Sequence, residues 1–143
     1  MPSSKILLLN GPNLNLLGKR ETSIYGDEGF DGFFIGLQDS FSDVDLEYYQ
    51  SNVEGELVNK LQSAQVDGVL LNAAAYTHTS VALRDAVAAI ETPVVEVHIS
   101  NLLSREEFRH TSLIGGVCVG SISGFGLNSY RLGVTALVDY LNS

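Results

Sequence analysis

The 143-residue chain is 45% hydrophobic and 17% charged, the balance of a globular protein that fits one domain over residues 1–143. Seventeen acidic against eight basic residues give a formal charge of −9, which repels nucleic acid, and no basic cluster offsets it. No apolar run nears the ~18 residues of a membrane span and no signal-peptide pattern opens the chain, so a cytoplasmic setting is expected.

In chain order, residues 6–10 make a short apolar run, the pattern of a strand buried on both faces of a parallel sheet. A long polar loop follows. Phe30, Phe33, Phe34, Leu37 and Phe41 then recur at helical spacing, weakened by Gly32 and Gly36. Residues 45–50 predict a second, less apolar strand. Ser51 and Glu54 have capping-box spacing ahead of a helix bearing Leu57, Val58 and Leu61. Residues 68–72 predict the third strand. Thr79 or Ser80 caps the next helix, with Leu83, Val87 and Ile90, which Pro93 stops. Residues 93–98 and 116–121 predict the last two strands, and Cys118, the only cysteine, reads as a buried structural thiol within the second of them. Tyr130, Val134, Leu137, Val138 and Leu141 line one face of a final helix. Alternating strands and helices predict an α/β fold: a flavodoxin-like, doubly wound, five-stranded parallel sheet. Ligands of such sheets bind at the carboxyl ends of the strands, here Asn10, Asn72 and His98.

The loop after the first strand is not a P-loop, because Gly11 and Gly18 are six residues apart and Arg20 follows Lys19. No GxGxxG occurs either, so a nucleotide is not indicated. Arg20 lies five residues before Tyr25, and a cation beside a phenol favours the phenolate, which can act as a base. Read alone, the same loop is equally a polar turn with both residues on the surface. His78 precedes a helix N-terminus that offers N–H groups to an anion, although a locally bonded loop histidine is the commoner case. Glu96 and His98 alternate along one strand and face the same side, where a carboxylate can orient an imidazole. Two titratable groups in a buried strand are costly unless paired, which favours a functional reading. Arg109 closes a charged run that is either a solvated turn or a cation at the rim of the cleft. The three histidines match no HExxH or CxxC metal spacing, and Gly120-Ser-Ile-Ser-Gly124 fails the GxSxG pattern of serine hydrolases.

GPNLNLLG with the following Arg20-Glu21 and Tyr25-Gly26, then QSNVEGEL, AYTHTSVALRDA, VVEVHISN and REEFRH, stand in order over nearly the whole chain. Together they resemble type II 3-dehydroquinase. The resemblance implies a cofactor-independent and metal-independent lyase that converts 3-dehydroquinate to 3-dehydroshikimate by anti elimination through an enolate, in the shikimate route or in quinate breakdown. It implies Tyr25 as the base, with Arg20 lowering its proton affinity, and Asn13 as holder of the water that steadies the enolate. His98, oriented by Glu96, would be the acid. Asn72, Ile99 and Ser100 would bind the substrate carboxylate; His78 and Arg109 would hold ring hydroxyls, joined by Asp85 from a neighbouring subunit of a homododecamer built as a tetramer of trimers. The chain departs from the family pattern at Thr22, at Ala73-Ala74 where Pro-Gly or Ala-Gly is common, at Thr111, and at Gly115-Gly116. The rival class is a flavodoxin-like binding or response module without chemistry. It would need phosphate-cradling hydroxyls in the first loop, or an acidic cluster where Asn10 stands.

Overall fold

An unbroken apolar run has no face to give to water. In the computed structural model, which describes residues 4–17 and 29–143, the first such run forms β1 (Ser4–Asn10) at an interior position of a sheet. The other strands are β2 (Val44–Gln50), β3 (Gly68–Asn72), β4 (Val94–His98) and β5 (Gly120–Ser123). All pairings are parallel and the spatial order is β2-β1-β3-β4-β5, the flavodoxin-like, doubly wound arrangement.

Alternation along β1 divides the core. Ile6 and Leu8 point to the side covered by α1 (Phe30–Ser40) and α4 (Asn128–Leu141), where Leu37, Leu70, Val97, Tyr130 and Leu137 are also buried. Leu7 and Leu9 point to the side of α2 (Glu54–Ser63) and α3 (Val81–Ala89), among Leu57, Leu61, Leu71, Leu83 and Val87. The helix α4 lies close against the sheet because Gly133 has no side chain. A Cβ there would stand 2.5 Å from Leu70 Cδ1 and 2.9 Å from Val97 Cγ2. No helix among the described residues is long and apolar enough to cross a membrane.

Two local expectations need correction. The last strand runs over Gly120–Ser123, not residues 116–121, and Gly115–Val117 is a 3-10 turn. That turn forms because Ser112 Oγ accepts hydrogen bonds from the N–H groups of Ile114 and Gly115, so the apolar stretch begins by curling. Cys118 therefore lies before the strand, half buried against the α2–α3 side of the core. Ser51 and Glu54 do not form a capping box either. Ser51 Oγ accepts from Val53 N and donates to Glu56, while Glu54 accepts from Ser80 Oγ at 2.5 Å. Ser80 itself caps α3 by accepting from Leu83 N at 2.9 Å, as expected.

Candidate active site

β1, β3 and β4 end on the same side of the sheet, with Asn10 and Asn72 in register. Both amides are buried, so both need partners. Tyr130, fully buried on α4, supplies one to each: its hydroxyl donates to Asn10 Oδ1 and accepts from Asn72 Nδ2, each at 2.8 Å. The chain leaves β1 by passing against the segment after β3. Gly11 N donates to the Asn72 carbonyl at 2.8 Å, and a Cβ at Gly11 would stand 2.6 Å from the Ala73 carbonyl oxygen. Asn13 then takes a left-handed φ of 70°, which asparagine tolerates, and its N–H donates to Asn52 Oδ1.

After β3 the backbone also turns left-handed at Ala74, φ 53°, whose N–H donates to Asn72 Oδ1 at 3.1 Å. The following 3-10 turn, Ala74–His78, delivers His78 to the same region. Its Nδ1 lies 2.8 Å from the Thr111 carbonyl, which only accepts, so Nδ1 carries the proton and a neutral ring keeps Nε2 as an acceptor. Beyond β4, Ser100 Oγ accepts from Arg105 Nη1 at 3.0 Å, and Arg109 Nε donates to Glu106 at 3.2 Å.

Glu96 and His98 sit on one face of β4, both about 4% exposed. His98 Nε2 lies 3.1 Å from Glu96 Oε2, a close contact that falls short of an aligned hydrogen bond. Burial pushes the Glu96 carboxyl up; the His98 contact and the hydroxyls of Ser112 and Ser121 outweigh it and hold the group below its ordinary value. Burial, with the Glu96 charge added, pushes the Cys118 thiol up to about 12, so it is protonated and a poor nucleophile at neutral pH.

These loops line an open cavity of about 490 Å³, a size suited to a small metabolite. Asn13, Asn72, His78, His98, Ile99, Ser100 and Arg109 line it, as the sequence suggested, and Leu14, Leu16 and Leu17 add an apolar wall. Glu96 stands behind His98. Asp85 is not at the cavity: it is exposed on α3, paired with Arg84 at 2.8 Å. Arg20 and Tyr25 lie outside the described residues. Arg105 lines the cavity and was missed, although the two arginines of the run after β4 were the signal for it.

The sequence pattern of the family Dehydroquinase class II matches residues 4–138. The chain belongs to this family. A protein of Exiguobacterium sp. named 3-dehydroquinate dehydratase is 54% identical over 138 residues, 95% of each chain. One of the same name from Synechocystis sp. is 55% identical over 142 residues, 96% of this chain and 93% of the relative. The crystal structure of type II dehydroquinase from Butyrivibrio crossotus superposes with a TM-score of 0.88 at 44% identity, over 99% of each chain. Membership of the class II dehydroquinases sets aside the binding or response module without chemistry.

Proposed function

We propose that this chain is a 3-dehydroquinate dehydratase that forms 3-dehydroshikimate by anti elimination through an enolate, with Tyr25 as base and His98 as acid. Beside the family relationship, the observation that carries this reading is the buried His98–Glu96 pair at the wall of a metabolite-sized cavity. The proton to be removed is next to a ketone, whose oxygen takes up the charge, so the first step needs a base and a place for an enolate. The group expelled is hydroxide, a poor leaving group, so the second step needs a proton donor. Tyr25 takes the carbon-bound proton, and a water held by Asn13 steadies the enolate oxygen. His98 then gives its proton to the departing hydroxyl, which leaves as water. As it leaves, the carbon–oxygen bond breaks and the enolate's electron pair forms the new carbon–carbon double bond, and the reading calls for no cofactor and no metal.

An unperturbed tyrosine titrates near ~10, so half ionisation at pH 7 takes about 4 kcal/mol of preferential stabilisation of the phenolate. Arg20 is assigned that task. Asn72 and the Ile99–Ser100 segment hold the substrate carboxylate, with Arg105 fixing the Ser100 hydroxyl. His78, through Nε2, and Arg109 hold ring hydroxyls. The outward position of Asp85 suits a role in the cavity of a neighbouring copy within a homododecamer of four trimers. The step belongs to the shikimate route or to quinate breakdown.

The test is to add 3-dehydroquinate to the purified chain and follow the ultraviolet absorbance of the conjugated product. Wild type should generate the signal, and Tyr25→Phe should bind substrate without generating it. A folded wild-type chain that produces no absorbance would overturn the assignment.

A further inference from the structure

Glu96 cannot steer His98 unless something steers Glu96. Its carboxylate is buried, and a buried carboxylate free to rotate would face His98 for only part of the time. Two hydroxyls remove that freedom. Ser112 Oγ donates to Oε2 at 2.5 Å, the same oxygen that lies 3.1 Å from His98 Nε2. Ser121 Oγ donates to Oε1 at 2.6 Å. They approach from separate elements, Ser112 from the loop before β5 and Ser121 from β5, where it is the register partner of Glu96. Gly115 completes the fit, since a Cβ there would stand 2.9 Å from Oε1.

We propose that Ser112 and Ser121 are positioning residues for the acid step: their hydroxyls clamp the two oxygens of Glu96 and so hold the carboxylate against His98. The clamp is anchored as well as aimed. Ser112 Oγ also accepts from Ile114 N and Gly115 N, at 3.2 and 2.9 Å, so its proton is left to point at Glu96. Both bonds are charge-assisted, which makes them among the stronger hydrogen bonds of a protein interior. Neither serine lines the cavity, so their effect on turnover passes through Glu96 and His98. The kinetic consequence rests on the reading of His98 as the acid; the geometric one does not.

Ser121 gives the cleaner test, because Ser112 also holds a turn together and its loss can disturb folding. Ser121 is on an edge strand and largely exposed, and threonine is well accepted in strands. Ser121→Ala should lower kcat by about tenfold, the order expected for one charge-assisted hydrogen bond, while KM stays near wild type. Ser121→Thr should restore it. In parallel, the NMR signals of the His98 ring should move in Ser121→Ala and return in Ser121→Thr, with those of His78 and His110 unchanged. Unmoved His98 signals together with unchanged kcat would overturn the clamp, as would a loss that threonine fails to rescue in a folded protein. Moved His98 signals with unchanged kcat would support the clamp and refute His98 as the acid.

Discussion

Ala74 is an L-residue held at φ 53°, in the left-handed region where its Cβ crowds the following carbonyl. The conformation costs an alanine roughly 1–2 kcal/mol, a cost glycine escapes. Against this, glycine has more backbone entropy to lose on folding, a penalty of roughly 0.5–1 kcal/mol. Ala74→Gly should therefore stabilise the protein by about 1 kcal/mol, raising its midpoint of thermal unfolding by about 3 °C for a chain of this size. The perturbation is confined, because the residue 74 N–H still donates to Asn72 Oδ1 at 3.1 Å and the loop keeps its path. Turnover should stay close to wild type. Calorimetry of the two proteins at one concentration is the assay, since association would make the midpoint depend on concentration. A glycine variant less stable than wild type would refute the claim that this loop is strained.

Tyr130→Phe should cost about 1–3 kcal/mol in urea unfolding, because the buried amides Asn10 and Asn72 each lose a partner, and KM should rise as Asn72 loosens; unchanged stability would count against the bridge. Cys118, with its thiol at about 12, should resist iodoacetamide at pH 8 in the folded protein and react in urea; rapid labelling of the native state would contradict the burial described. The folded Glu96 carboxyl sits below its ordinary 4.5, so the stability it contributes is present above that value and is lost as pH falls through the lower folded value. Glu96→Gln should lose less stability than wild type over that acid window, and parallel curves would show that Glu96 does not contribute in this way.

The layers of the fold were legible because their cause is local. Residues 6–9 and 69–71 are apolar without interruption, and runs this short suit strands covered on both faces. The end of the sheet was less so. Residues 116–119 have the composition of a strand, yet the Ser112 hydroxyl turns the chain first, and pairing with β4 starts only as Val119 N reaches the Val94 carbonyl. Ser51 shows the same limit: its spacing to Glu54 fits a capping box, but Ser80, brought in by the fold, takes that carboxylate instead. In the site, Asn72, His78, His98 and Arg109 were readable as polar residues placed at or just beyond strand ends. Tyr130 was readable only as one apolar position on a helix face, since its polar partners lie 58 and 120 residues away. Ser112 and Ser121 carry no motif at all. What they do depends on Glu96, 16 and 25 residues earlier; the β4–β5 pairing brings Ser121 to it, and the loop before β5 brings Ser112.

The central claim divides the elimination between two residues, a base that removes the proton beside the ketone and His98 that protonates the leaving hydroxyl. Incubating His98→Ala with 3-dehydroquinate in deuterated water, and following both deuterium uptake into unreacted substrate and product formation by NMR, separates the two steps. The account predicts continued uptake with dehydration almost abolished. Loss of both together, in a variant that still folds and binds substrate, would show that His98 is needed for proton removal and would contradict the division.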